Sequence, residues 1–138
     1  MLNFELEKLT HEVCRVAREA GIYLRTEQGR IHADQVECKH THDYVSYVDK
    51  TCERQLVEQL AALLPEAGFL TEENTVENSS GKGASLTWVV DPLDGTTNYI
   101  HGFNPFAVSI ALRTDSEVLL GVVYEVSLDE CFYAWQGG

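Results

Sequence analysis

Two aspartates three positions apart, Asp91 and Asp94, flank a proline in the stretch Trp88-Val89-Val90-Asp91-Pro92-Leu93-Asp94-Gly95-Thr96-Thr97-Asn98. Proline fixes φ and offers no N–H, so the chain is expected to leave its strand and turn at Pro92. Asp91 at the strand end and Asp94 in the turn can then converge on one point, and Leu93 adds a backbone carbonyl there. Oxygen donors of this kind suit a hard cation such as Mg²⁺. Gly95-Thr96-Thr97 would open a short helix, where free N–H groups and the positive dipole end offer a seat to a phosphate. An Asp-Pro turn with an N-capping Asp94 and no chemistry accounts for a bare D-P-x-D-G equally well.

More acid arrives from upstream. Thr71-Glu72-Glu73-Asn74 follows the short apolar pair Phe69-Leu70, as in a strand that delivers carboxylates at its tip. Alternation along a strand sends neighbours to opposite sides, so Glu72 and Glu73 are expected to part, with Glu73 in a supporting role. Cys38, His40 and His42 have a spacing that could present zinc ligands, but an ordinary solvated segment explains them as well.

These residues need elements to hold them. From Phe4 to about Glu27, apolar side chains at Leu6, Leu9, Val13, Val16, Ala17, Ala20 and Leu24 predict an amphipathic helix ended by Gly29, with a solvated Glu-rich face. The segment from Arg30 to Thr41 has no clear period. A second helix is predicted from near Ser46, capped with Asp49, through Val48, Cys52, Leu56, Leu60 and Leu63 to Pro65. Leu86 to Val90 reads as a strand, Ala107–Leu112 and Val118–Tyr124 as a hairpin, and Cys131–Trp135 as one more strand. Residues 78–84 have the composition of a loop. Tyr99, Phe103 and Phe106 are expected in the core around the turn. Helices followed by successive strands give an α+β fold.

The chain has 138 residues, enough for one core. With 44% hydrophobic and 23% charged residues it has the composition of a folding chain, and no apolar run reaches the roughly 18 residues of a membrane span. Ten basic against 22 acidic residues leave a net charge of −12, the wrong sign for binding nucleic acid generally. An acidic protein that handles an anionic substrate needs a local positive charge, which divalent cations supply. The N-terminal residues lack the pattern of an export signal, and Cys14, Cys38, Cys52 and Cys131 form no C-x-x-C pair, so reduced thiols in a cytoplasmic protein are expected.

The stretch from Trp88 to Tyr99 resembles the inositol monophosphatase family, whose signature is a tryptophan-led strand followed by D-P-[LI]-D-G-T-x-N-[FY]. The resemblance extends to Glu72-Glu73, to Asp43 and Asp49 in a lysine-led segment from Lys39, and to Phe106-Ala107-Val108-Ser109-Ile110-Ala111. Thr71 stands where the family usually has glycine.

That resemblance implies a layered α-β-α-β-α sugar-phosphatase fold, of which residues 1–138 would be the N-terminal helices-plus-mixed-sheet portion. It also implies a Mg²⁺-dependent, lithium-sensitive phosphomonoesterase for inositol monophosphate or a similar small sugar phosphate; adenosine bisphosphate and fructose bisphosphate are the alternative substrates. Glu72, Asp91 and the Leu93 carbonyl would bind one metal ion, and Asp91 and Asp94 a second. Thr96, with Asp49 or Glu72, would orient the attacking water, while Gly95, Thr96 and Asp94 would contact substrate. Lys39 is a weaker candidate. The family's later half carries a further aspartate in a W-D-x-A segment, so this portion alone is expected to be weakly active or inactive. A homodimer, and contact with the transcription machinery in a regulatory role, are further expectations of the resemblance.

Overall fold

The computed structural model describes residues 5–33, 38–76 and 85–138, with the side chains of residues 32–33 and 38–42 outside that description. Two long helices, α1 (Leu6–Ala33) and α2 (Cys38–Leu63), precede strands β1 (Gly68–Thr71) and β2 (Thr87–Asp94). A short helix α3 (Thr96–His101) and strands β3 (Ala107–Arg113), β4 (Val118–Glu125) and β5 (Glu130–Trp135) follow. The sheet order is β1-β2-β3-β4-β5, with β1 and β2 parallel and every other pair antiparallel. This is the expected α+β arrangement of helices on a mixed sheet.

Both long helices lie on the sheet. α1 packs over β3, β4 and β5, and α2 packs over β2. The apolar stripe of α1 is buried at Val13, Val16, Ala17, Ala20 and Leu24, and that of α2 at Val48, Cys52, Leu56 and Leu60. Both stripes meet Trp88, Val90, Val108, Ile110, Leu112, Leu120, Val122 and Tyr124 in one continuous cluster. Truncating Trp88, which is fully buried, to alanine would cost about 3–5 kcal/mol. Gly21 brings α1 close to β4, since a Cβ there would collide with the Tyr124 ring.

The other face of the sheet carries Val89, Ser109, Ala111, Gly121, Val123, Phe132 and Ala134 in register across β2 to β5. Val123 and Phe132 are exposed there. None of the described helices is long and apolar enough to cross a membrane.

Several boundaries differ from the expectation. α1 runs past Gly29 to Ala33 because tertiary contacts on both sides of the glycine hold it: Ile31 after it is buried, and just before it Gln28 donates to the Tyr99 carbonyl at 2.9 Å and Tyr44 of α2 donates to Glu27. Gly29 itself faces open space, so its cost of about 1 kcal/mol against alanine is easily offset. α2 starts at Cys38 rather than Ser46, because Val45 already belongs to its buried face; Ser46 is exposed and lies inside the helix. Phe103 is exposed, whereas Tyr99 and Phe106 are buried and meet edge to face at 5.1 Å. Glu27 departs from the solvated face of α1 and is buried.

Candidate functional site

β1 and β2 are parallel, with Thr71 opposite Val90, and the Glu72 N–H donates to the Val90 carbonyl at 3.1 Å. Their carboxyl ends therefore finish side by side, which brings Glu72 beside Asp91. Crevices at the carboxyl ends of parallel strands are the usual ligand sites of α/β sheets. The turn expected at Pro92 falls later. β2 continues to Asp94, with Asp91 paired to Ser109 and Asp94 to Ala107, and the register shifts between the two. Pro92 has no N–H to give the ladder, so pairing lapses there while the backbone stays extended.

In that interval the Leu93 N–H donates to Asp91 Oδ1 at 3.2 Å, and the Thr96 hydroxyl donates to the Leu93 carbonyl at 3.4 Å. Gly95 makes the actual turn in the left-handed region, at φ 94° and ψ 39°. A Cβ at Gly95 would stand 2.7 Å from the Pro105 carbonyl, so conformation and space both require glycine. α3 is then pinned to α1 by the Tyr99 hydroxyl, which donates to the Leu24 carbonyl at 2.7 Å, and to the following loop by the Asn98 amide, which donates to the Pro105 carbonyl at 3.0 Å.

α2 adds two carboxylates from beneath. Asp49 is 7% exposed, and its Oδ1 is buried with no hydrogen-bond partner among the described residues. Burial, and then the charges of Glu73, Asp91, Glu53 and Glu72, push its carboxyl up to about 7. One turn on, Glu53 is fully buried and fully engaged. It accepts the N–H of Glu73 at 2.8 Å, the N–H of Thr75 at 2.9 Å and the Thr75 hydroxyl at 2.5 Å. Between those donors Asn74 adopts φ 54°, which asparagine tolerates better than most residues. Glu53 thus folds the chain after β1 around its own carboxylate. The sequence reading missed it.

A signal was available: Asp49, Cys52, Glu53 and Leu56 follow the i, i+3, i+4, i+7 spacing of a buried stripe, so two carboxylates fall on the inward face.

Of the residues singled out by sequence, Asp49, Glu72, Glu73, Asp91, Asp94 and Thr96 gather around the ends of β1 and β2. Burial raises the Asp91 carboxyl; the Leu93 N–H opposes it, and the charges of Glu72 and Asp94 raise it further. Glu73 is raised by burial and then by Glu53, Glu72 and Asp91. Glu72 and Asp94 are exposed, and so is Asp43, at the outer surface of α2. The side chains of Cys38, Lys39, His40 and His42, and the loop at 78–84, lie outside the described residues.

Among the described residues no three acidic, imidazole or thiol side chains close into a cage able to hold an ion unaided. Mg²⁺ does not need one, since it commonly takes one or two carboxylates and completes its shell with waters and substrate oxygens. The orphaned Asp49 oxygen and the mutually raised carboxyls give a cation a reason to settle there, so the residues present fit such an ion.

The pattern described as the Inositol monophosphatase family matches residues 5–138. The chain belongs to that family. The inositol-1-monophosphatase of Mesorhizobium japonicum is 38% identical over 130 residues, covering 94% of this chain and 48% of its own length. The Nus factor SuhB of Pasteurella multocida is 38% identical over 123 residues, covering 89% of this chain and 45% of its own. The crystal structure of extragenic suppressor protein suhB from Bartonella henselae superposes with a TM-score of 0.78 at 37% identity, over 95% of this chain and 50% of that one. The chain thus spans about half the length of the inositol monophosphatase relatives it matches.

Proposed function

We propose that this chain supplies the metal-binding end of a Mg²⁺-dependent phosphomonoesterase acting on inositol monophosphate or a similar small sugar phosphate, as the N-terminal portion of a single phosphatase domain. The observation that carries the reading is the meeting of the Glu72 and Asp91 strand ends over a buried Asp49 whose Oδ1 has no partner among the described residues. Glu72, Asp91, Asp94 and the Leu93 carbonyl would hold Mg²⁺. When bound, the ion supplies Lewis-acid stabilisation of phosphate charge and a more acidic water. The chain's own part is positional. Thr96, fixed by its bond to Leu93, turns its hydroxyl toward the strand ends, and Asp49 or Glu72 would accept the proton of a water held by that hydroxyl. Gly95 turns the chain in the left-handed region, and the backbone N–H groups of Gly95 and Thr96 would hold phosphate oxygens.

The test is titration of the 138-residue chain with Mn²⁺ as a spectroscopic stand-in for Mg²⁺, beside phosphate release from inositol monophosphate. Binding that Mg²⁺ competes for, and that weakens roughly tenfold or more in Asp91→Asn, supports the reading. Identical binding by wild type and Asp91→Asn overturns it. Phosphate release by this chain alone is expected to be weak or absent.

A second reading follows from the relative named as a Nus factor: contact with the transcription machinery. A biological role that survives Asp91→Asn would favour binding over catalysis.

A further inference from the structure

Away from the strand-end carboxylates, the corner between α1 and β5 brings two thiols together. Three ring contacts fix the alignment. His11 meets Tyr133 at 5.3 Å and Trp135 at 5.8 Å, and the Arg18 guanidinium stands 5.7 Å over the Tyr124 ring. Cys14 lies three residues after His11 and four before Arg18, hence on the same helix face. Cys131 is the cross-strand partner of Tyr124 and lies two residues before Tyr133, hence on the strand face that meets α1. The two cysteines therefore share the interface between α1 and β5, close enough for Cys131 to act on the Cys14 thiol. A recess of about 460 Å³ lined by His11, Cys14, Arg15, Arg18 and Tyr133 opens onto this corner. Cys131 is partly exposed.

We infer that Cys14 and Cys131 form a thiol pair that low-molecular-weight disulfides oxidise to an intramolecular disulfide, stapling the first helix to the last strand. The steps balance without metal. The Cys131 thiol loses its proton to water, and its sulfur attacks one sulfur of glutathione disulfide, releasing one glutathione thiolate that takes up a proton. The Cys14 thiol then loses its proton through the recess and attacks the Cys131 sulfur, forming the protein S–S bond and expelling the second glutathione. The two thiols lose two electrons, which reduce one glutathione disulfide to two thiols. Burial, and then the hydrogen bond to Cys131, hold the Cys14 thiol up at about 12, so the second step is the slow one. Cys52, buried on α2, is engaged elsewhere: its thiol donates to the Pro92 carbonyl at 3.9 Å.

A disulfide between such distant parts of the chain constrains the unfolded state over nearly its whole length. The folded 138-residue chain, incubated with glutathione disulfide and digested without reductant, is expected to yield a Cys14–Cys131 linked peptide and a Tm higher on the order of 10 °C. Dithiothreitol should reverse both. Cys131→Ser, a mild change at a partly exposed site, should abolish both without altering the reduced Tm by more than a few degrees. Accumulation of a glutathione adduct on Cys131 with Cys14 recovered as a free thiol would overturn the inference. So would a link that forms only in urea, or one that lowers Tm.

Discussion

Asp49 and Glu53 stand one helical turn apart on the inward face of α2, and they live differently. Glu53 receives three hydrogen bonds from the chain after β1, while Asp49 keeps an oxygen buried with no partner among the described residues. Burying a carboxylate costs free energy unless donors or an opposite charge compensate it. At Glu53 the compensation is internal and the result is a fixed loop. At Asp49 no such donor is found for Oδ1 among the described residues, and the carboxyl is instead raised to about 7, chiefly by burial. One carboxylate holds the loop after β1, and its neighbour makes no such bond through Oδ1 among the described residues.

Three experiments test that contrast. The largest effect belongs to Glu53→Ala, which strands two backbone N–H groups and a hydroxyl; it should lose about 3–5 kcal/mol of stability in urea unfolding. Loss of under about 1 kcal/mol would show that the three bonds matter little to the fold. Asp49 should reveal itself through pH. Its folded-state pKa of about 7 lies above its ordinary 3.8, so the folded chain binds the extra proton in between, and stability falls as pH rises through that window. The difference across the window is at most about 4 kcal/mol and is reduced by solvent screening, and Asp49→Asn, which cannot titrate, should flatten the slope in thermal melts from pH 4 to pH 8. An unchanged slope would assign the pH dependence to other groups. Glu72→Gln should be the mildest: exposed at the strand tip, it should shift stability by less than about 0.5 kcal/mol while weakening Mn²⁺ binding. Lost stability there would make Glu72 a part of the scaffold.

The candidate site was legible where its grouping depends on local spacing. Asp91, Asp94, Gly95 and Thr96 are close in sequence, and β1 was visible as Phe69-Leu70 before its two glutamates. The two β-rich runs Ala107–Leu112 and Val118–Tyr124, separated by residues 113–117, predicted the β3–β4 hairpin that is observed. What escaped depends on contacts between distant segments. Gly29 has the form of a helix stop, yet α1 continues to a buried Ile31, with Gln28 and Glu27 tied to Tyr99 and Tyr44 just before the glycine. Phe103 is aromatic like Tyr99 and Phe106, and nothing local tells that α3 turns it outward. Helix spacing puts Glu53 on the inward face of α2, but only the fold shows that its donors come from residues 73 and 75.

The lapse in pairing between Asp91 and Asp94 has a wider meaning for how this sheet can change. A strand fully zipped to its neighbour has every carbonyl committed, so any residue that alters the backbone there disturbs the whole layer. Here a single imino acid suspends the stitching for a few residues, leaving the Leu93 oxygen accountable only to the Thr96 hydroxyl among the bonds described. Replacing Pro92 by alanine would return an N–H to that interval and invite the seam to close, disturbing the register in which Asp91 and Asp94 are mounted.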